Sequence, residues 1–242
     1  MKHSFENEII KEIDSIIGKR YILIKNEIIK DDNGNDLMDI DLYAYKDFID
    51  KNKWFTRVIL CFQIARISKD WVRLEPSDEN LEHAPQNILC GYNKEKGIDF
   101  VDVSKLPYAE RDVGYKKCKF MVKNGLSGEF GEKKDYINDD IRKCAISSLY
   151  LCYKTIKAVK NKFENITVFV EPIVLNESTL VAGGFEYYLS KKDLSYKFIK
   201  KIKHPNIEPI RLKIIGKQML REVLNISDMF TEFIDESYKI EI

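Results

Sequence analysis

The segment that most constrains the fold is an apolar stretch, TRVILCFQIARISKDWVRL, at residues 56–74. Its first part predicts a β-strand, whose side chains alternate between two faces. The predicted faces are Ile59, Cys61, Gln63, Ala65 and Ile67 on one side, and Val58, Leu60, Phe62, Ile64 and Arg66 on the other. Neighbouring positions on one strand face are a natural place for a pair of chemical groups. The glutamine at position 63 has only an alanine as its neighbour at position 65.

A helix and a hairpin are predicted before this strand. Apolar residues recur at helical spacing over about residues 5–17, with Ser4 as N-cap and Gly18 at the end. The segments RYILIKNEIIK and LMDIDLYAY, separated by the turn signal DDNGN, predict two strands joined by a turn. Strict alternation in the second strand puts Asp39 and Asp41 on one face. The opposite face of that strand consists of Met38, Ile40, Leu42 and Ala44.

The rest of the chain continues an α/β pattern. Residues 76–132 contain three prolines and predict an irregular insertion of loops and short strands, whereas about residues 135–163 predict a long helix with one buried face. ITVFVEPIVL, LVAGGFEYYL and IRLKII predict strands, and KQMLREVL and SDMFTEFI predict two helices. We expect one domain over residues 1–242. Its core and site would lie in 1–75, and the second half of the sheet in 133–242.

Composition and charge exclude several classes of protein. The 242 residues are 44% hydrophobic and 33% charged, and the net charge of +1 provides no global basic field for nucleic acid. Three histidines and five cysteines without a C-x-x-C pair argue against a zinc site or a disulfide framework, and predict buried free thiols. The N-terminus lacks the apolar core of a signal peptide, and no apolar run reaches membrane-spanning length. We therefore expect a cytoplasmic protein with no membrane partner.

Three side chains with oxygen donors could converge on one point. The apolar stripe of the first helix centres close to Glu6, and a carboxylate there is costly unless a metal, a partner charge or a polar cleft compensates it. Alternatively, the buried stripe ends at the first turn and Glu6 lies in solvent. Glu6, Asp41 and Gln63 carry the carboxylate and amide oxygens that Mg²⁺ or Mn²⁺ would use for phosphodiester cleavage. Such a site normally adds a lysine that offsets developing charge.

The order of these motifs resembles the PD-(D/E)xK nuclease superfamily, which has the restriction-endonuclease-like fold. The Mrr-like branch of this superfamily has an acidic I-D-x-x-A strand, and Q-x-K-R in place of E-x-K. By this resemblance, Glu6 matches the helix glutamate and Asp41 the metal-binding aspartate. Gln63 matches the first residue of Q-x-K, and Arg66 the residue after the lysine. Ala65 stands where the motif has its lysine.

The resemblance covers about residues 5 to 74, roughly a third of the chain, and SKDWV and VFVEPIVLNESTLVAG resemble later segments more weakly. It implies an α/β restriction-endonuclease-like fold in which helices flank a mixed sheet. It also implies Mg²⁺-dependent cleavage of DNA, as in bacterial defence or restriction effectors, with Glu6, Asp41 and Gln63 as metal ligands. Many such nucleases act as homodimers or with a partner protein in a larger complex.

Three interpretations of Ala65 are open. It is an engineered inactivation of a Q-x-K nuclease, a natural change in a non-catalytic pseudo-nuclease that binds DNA or assembles with a partner, or a sign that the strand register is different. The presence of Glu6, Asp41, Gln63 and Arg66 in pattern favours inactivation, because a site released from selection should lose more than one member. On that interpretation the chain still binds metal but cleaves DNA poorly.

A basic segment, YKFIKKIKH, supplies a candidate surface for nucleic acid. Its lysines at 197, 200, 201 and 203 alternate with apolar residues and could contact DNA phosphates. The same pattern is equally typical of a lysine-rich chain whose charged residues face solvent. A second lysine run, at 154, 157, 160 and 162, ends the predicted long helix, where the helix dipole favours cations in any case.

Overall fold

The computed structural model describes residues 4–31, 33–65, 71–76, 88–100, 118–123, 131–177, 182–203 and 209–240. In these residues the helices are α1 Ser4–Ile17, α2 Gly131–Val159, α3 Lys197–Lys200 and α4 Leu220–Ile240. The strands are β1 Ile22–Lys30, β2 Asp36–Ile49, β3 Phe55–Ala65, β4 Trp71–Pro76, β5 Ile88–Asn93, β6 Gly97–Phe100, β7 Cys118–Lys123, β8 Asn165–Asn176, β9 Gly183–Tyr187 and β10 Ile210–Ile215. The fold is therefore mixed α/β, as the sequence predicts.

Eight of the described strands form one mixed sheet. Its main path has the order β1-β2-β3-β8-β10-β9, and β5 pairs with both β6 and the first half of β8. Strands β3, β8 and β10 are parallel, whereas the other pairs in the sheet are antiparallel. The carboxyl ends of these three parallel strands therefore lie at the same edge. Strands β4 and β7 form a separate two-stranded sheet.

Most predicted elements are confirmed, with differences at their boundaries. The first helix and the hairpin are α1, β1 and β2, and the long helix is α2, which begins and ends earlier than its sequence pattern predicts. The prediction of two separate helices near the C-terminus is wrong, because a short 3-10 turn at Lys217–Met219 leads into the single helix α4. No proline or glycine interrupts the chain between Leu220 and Ile240, so the helix continues.

The core consists of two apolar clusters on opposite faces of the sheet. The cluster on the α2 face contains Ile59, Cys61 and Ala65 of β3, and the cluster on the α1 and α4 face contains Leu60, Phe62 and Ile64. This confirms the predicted faces of β3 as far as residue 65, while Arg66 and Ile67 lie outside the described residues. The free-thiol prediction is also confirmed for Cys61, Cys90, Cys144 and Cys152, which are buried and unpaired with one another.

The prediction of strict alternation along β2 is wrong. Met38 and Ile40 pack in the α2-face cluster, whereas Leu42 and Ala44 pack in the cluster beneath α1 and α4. The strand changes face opposite Asn26 of β1, whose φ of 51° is left-handed and interrupts the regular ladder. The outer half of the hairpin therefore packs on α2 instead of continuing the face of the inner half.

A buried ion pair joins the sheet to α4. Lys213 of β10 donates to Glu171 of β8, and the Ser227 hydroxyl on α4 donates to the other Glu171 oxygen at 2.5 Å. All three residues are buried. The carboxylate thus has partners from two elements, and the ammonium is neutralised by the neighbouring strand.

We expect Lys213→Met to destabilise the protein by about 3–5 kcal/mol, because it leaves the buried Glu171 carboxylate without its counter-charge. The double variant Glu171→Met/Lys213→Met should recover most of this loss, since it removes both charges and keeps similar volume. Urea unfolding of the parent, the two single variants and the double variant measures the coupling. A double variant no more stable than Lys213→Met would contradict this account.

The segment between β9 and α3 is held in place by Asp193. Its Oδ2 accepts hydrogen bonds from Tyr187 Oη at 2.5 Å and from Ser190 N and Oγ at 2.9 and 2.7 Å. Arg142 of α2 lies 3.6 Å from Oδ1. Burial alone would raise the pKa of Asp193, but the hydrogen bonds from Tyr187 and Ser190, together with the Arg142 charge, bring this pKa below its ordinary value.

Asp193→Asn should therefore reduce stability at neutral pH, by about 1–3 kcal/mol for charged hydrogen bonds. A lowered pKa in the folded state contributes stability above the unfolded pKa of about 4, and this contribution is lost as pH falls through the folded pKa. Urea unfolding of parent and variant from about pH 7 to about pH 3 should show the difference shrinking below about pH 4. The exposed Asp36→Asn is the control. A difference independent of pH would argue against the carboxylate as its source.

Candidate functional site

The candidate site lies at the edge of the sheet where the parallel strands β3 and β8 end. In open α/β sheets, ligands bind in the crevice beyond the carboxyl ends of parallel strands. The last residues of these strands, Ala65 and Asn176, are partners in the ladder, and both are buried. Gln63 and the strand β2, which carries Asp41, border the same edge.

Asp41 and Gln63 are in direct contact through a side-chain hydrogen bond. Gln63 Nε2 donates to Asp41 Oδ2 at 2.8 Å, and the backbone N of Ile64 donates to the same oxygen at 2.6 Å. The β2–β3 ladder ends at the pair Leu42 and Phe62, and beyond it the Asp41 carboxylate accepts a hydrogen bond from the backbone N of Ile64. These two hydrogen bonds hold the carboxylate in one orientation.

The second polar atom of Gln63 has no such partner. Its Oε1 is buried and receives no hydrogen bond. The amide cannot turn around to correct this, because Nε2 is needed by the Asp41 carboxylate. A buried acceptor without a donor costs about 1–3 kcal/mol, so this oxygen is the position at which an additional donor or a cation would be most favourable.

Ala65 and Asn176 extend this group of residues along the same face. Ala65 and Cys61 both belong to the α2-face cluster. Gln63 lies between them on the same strand face, because side chains alternate along a strand. Asn176 shares that face by alternation, because Val174 also belongs to the α2-face cluster. Sequence reasoning missed Asn176, although its place at the end of VFVEPIVLN, two residues after Val174, carried the signal.

Helix α2 covers the sheet face that carries Cys61 and Ala65. The Cys144 thiol of α2 lies 3.9 Å from the backbone oxygen of Cys61. Burial raises the pKa of Cys144 well above its ordinary value, and the neighbouring Cys61 and the charge of Asp41 act in the same direction. The Cys144 thiol is therefore neutral, and it contributes no negative charge to the region of Asp41.

Glu6 belongs to α1, which packs on the other face of the sheet. It is buried in the first turns of α1, with 9% of its surface exposed, so it does not lie in solvent. An ion pair between Glu8 and Lys217, which follows β10, holds the start of α1 at the carboxyl ends of the parallel strands. The apolar residues of α1 pack in the cluster on the sheet face opposite Cys61 and Ala65, so α1 and the α2-face cluster lie on different sides of the sheet.

The part of the chain that the structure describes contains no group of three or more His, Cys, Asp or Glu side chains that could hold a metal ion. The possible metal ligands at the edge are of two kinds, the carboxylate oxygens of Asp41 and the amide oxygen of the neighbouring Gln63. Mg²⁺ is commonly held by only one or two carboxylates, with water completing its coordination. Asp41 and Gln63 are thus the side chains here that could hold such a cation.

The predicted basic patch is only partly gathered in one place. Lys197 and Lys201 line a groove of about 680 Å³, whereas Lys200 and Lys203 are exposed and outside its lining. The same groove includes Lys154 and Lys157 from the second lysine run on α2. We call it the lysine groove, after its six exposed lysines, which are Lys30, Lys154, Lys157, Lys192, Lys197 and Lys201.

Comparisons of the chain with protein-family models, curated proteins and solved structures find no match in any of the three. Among the described helices, none has the length and apolar character needed to cross a membrane. The observations that bear on function are therefore the arrangement at the strand ends and the lysine groove.

Asp41→Ala should lower the free energy of unfolding by about 2–6 kcal/mol, because the Ile64 N–H and Gln63 Nε2 lose their shared buried acceptor and each such loss costs about 1–3 kcal/mol. Asp39→Ala, on the same strand, is the matched control. Its carboxylate is half exposed and lies 3.9 Å from Lys143, so its loss should cost less than about 1 kcal/mol. Equal effects in urea unfolding would show that Asp41 does not hold the end of β3.

Proposed function

We propose that this protein is a metal-dependent phosphodiesterase of restriction-endonuclease-like fold that acts on DNA. The observation that carries the proposal is the buried Gln63 Oε1 without a hydrogen-bond donor, beside the Asp41 carboxylate at the ends of parallel strands. An orphaned oxygen next to an oriented carboxylate suits a hard cation. The mixed sheet with helices on both faces supports the same class.

Each residue of the site would have a distinct task. Asp41 and Gln63 would hold Mg²⁺ or Mn²⁺, which when bound polarises a phosphoryl oxygen and lowers the pKa of water. The backbone of Ile64 keeps the Asp41 carboxylate oriented, which favours binding without reorganisation. Glu6 would supply a further carboxylate from α1, and the Asn176 amide would border the substrate next to position 65.

Ala65 determines how active such a site can be. It is buried on the face of Gln63 and provides no ammonium group, so a developing negative charge would lack the stabilisation that the motif lysine supplies. Loss of one such group typically costs on the order of 10²- to 10³-fold in rate. We therefore propose that the chain as it stands cleaves DNA poorly, either through engineered inactivation or through a natural change.

The same alanine favours a second candidate function. A non-catalytic pseudo-nuclease would keep the sheet and Asp41 for structural reasons, and would bind DNA or assemble with a partner protein without hydrolysis. In that case the hydrogen bonds to Asp41 serve only to close the end of the β2–β3 ladder. The two functions differ in whether the strand edge binds a cation.

Thermal unfolding in Mg²⁺ or Mn²⁺ tests the cation directly. At about ten times its Kd, a bound cation should stabilise the protein by about 1.4 kcal/mol, which raises Tm by about 3 °C in a chain of this size. Asp41→Asn and Gln63→Met should abolish the shift, while the control Asp39→Asn should retain it. Identical shifts in all four proteins would mean that the cation binds elsewhere.

Cleavage by Ala65→Lys distinguishes the two candidates. On plasmid, linear and single-stranded DNA with Mg²⁺, this variant should cleave on the order of 10²- to 10³-fold faster than the parent, and Asp41→Asn in the same background should remove the gain. Circular dichroism establishes that the variant is folded. A folded variant that binds metal at Asp41 and cleaves none of these substrates would favour the non-catalytic function.

A further inference from the structure

The lysine groove combines positive charge with an aromatic floor. It lies between the tip of the β1–β2 hairpin, the second half of α2 and the segment around α3. The floor is a cluster in which Phe198 contacts the rings of Tyr150, Tyr153 and Tyr196, with ring centroids 5.5, 6.3 and 5.6 Å apart. Phe198 is buried at the centre, and the three tyrosines are partly exposed around it.

The charge of the groove is strongly asymmetric. Its lining contains six lysines and one carboxylate, Asp31. That carboxylate accepts hydrogen bonds from the backbone N atoms of Asn33 and Asn35 and from Asn35 Nδ2, at 2.8, 2.8 and 2.9 Å, so the hairpin turn occupies it. Two further acids beside the lining pair with groove lysines, Glu27 with Lys154 at 2.5 Å and Asp36 with Lys30 at 3.5 Å, so six lysines face three acids in all. The excess of lysines attracts a ligand with more than one negative charge.

The lysines come from separate elements and surround the aromatic floor. Lys30 belongs to the hairpin, Lys157 to α2, and Lys192 and Lys197 to the segment that Asp193 holds. A solvated helix face would place its lysines along one element. Here, cations from three elements meet around one concavity, and its volume of about 680 Å³ lies within the range of small-ligand sites.

We propose that the lysine groove binds a short stretch of single-stranded nucleic acid, with phosphates at the lysines and a base stacked on the tyrosine floor. Proteins that bind single strands without sequence preference combine a basic groove with aromatic side chains in this way. A duplex keeps its bases stacked inside the helix and has none to offer to Tyr150, Tyr153 or Tyr196. The inference concerns binding alone, so it holds with or without the proposed hydrolysis.

The groove and the candidate metal centre lie along the same helix. Ten residues of α2 separate Cys144, whose thiol lies 3.9 Å from the backbone oxygen of Cys61 on β3, from Lys154 in the groove, which corresponds to about 15 Å along the helix axis. A nucleic-acid strand bound in the groove therefore lies on the α2 side of the sheet, the same side as the Gln63 side chain.

Fluorescence anisotropy with a labelled oligothymidylate of about 12 nucleotides tests the inference on the full chain in EDTA, where metal chemistry plays no part. We expect the single strand to bind at least tenfold more tightly than the duplex of the same length. Between about 50 and 200 mM KCl, log K should fall linearly with log salt concentration.

The variant Lys157→Ala/Lys197→Ala should bind at least tenfold more weakly, and its salt slope should decrease in magnitude by about 1.4 for two lost phosphate contacts. The matched control is Lys160→Ala/Lys162→Ala, which removes the same charge from exposed lysines just after α2 and outside the lining. Tyr153→Leu should weaken binding about five- to a hundredfold through lost stacking. Unchanged Tm values identify variants that remain folded.

Several results would overturn the inference. Equal binding of duplex and single strand would assign the lysines to a general DNA surface. Equal loss in the Lys157/Lys197 and Lys160/Lys162 variants would mean that the groove has no special role. Displacement of the oligonucleotide by inorganic triphosphate or by dTMP at its own Kd would mean that the site takes a small anion or a free nucleotide rather than a strand.

Discussion

The structure depends on β3, an apolar strand that is enclosed on both edges and both faces. It pairs with β8 along its whole length, from Phe55 to Ala65, but its ladder with β2 extends only as far as Phe62. The last residues of β3 therefore need another acceptor on that side, and the Asp41 carboxylate supplies it to Ile64. The requirement to satisfy one buried backbone donor thus places Asp41 beside Gln63 at the edge where the parallel strands end.

Two buried polar groups in the sheet illustrate the difference between a structural contact and a candidate site. Glu171 is satisfied by Lys213 and Ser227, so the packing of β8, β10 and α4 accounts for it completely. Gln63 has a partner for its nitrogen but none for its buried oxygen. Asp193 Oδ1 also lacks a hydrogen bond, but the Arg142 charge lies 3.6 Å away, whereas packing supplies no such partner for the Gln63 oxygen.

The bend of the hairpin creates the second feature of functional interest. Because β2 changes face between Ile40 and Leu42, the outer half of the hairpin packs on α2 and brings Lys30 to the tyrosine cluster. Asp193 holds the opposite wall by binding Tyr187 and Ser190. Lysines that are more than a hundred residues apart in the sequence thereby share one groove, which no single lysine run could form.

The sequence by itself determined the local elements and the two faces of β3, because helical and strand periodicities are local properties of the chain. It also indicated that Asp41 and Gln63 lie close together, since they belong to two strands that follow one another in the sequence and were expected to be neighbours in the sheet. Only the tertiary structure decided the face change of β2, the burial of Glu6 on α1, the place of Asn176 and the union of two lysine runs. These depend on contacts between distant segments, and a left-handed Asn26 or a strand pairing such as β3 with β8 leaves no periodic signal in the residues themselves.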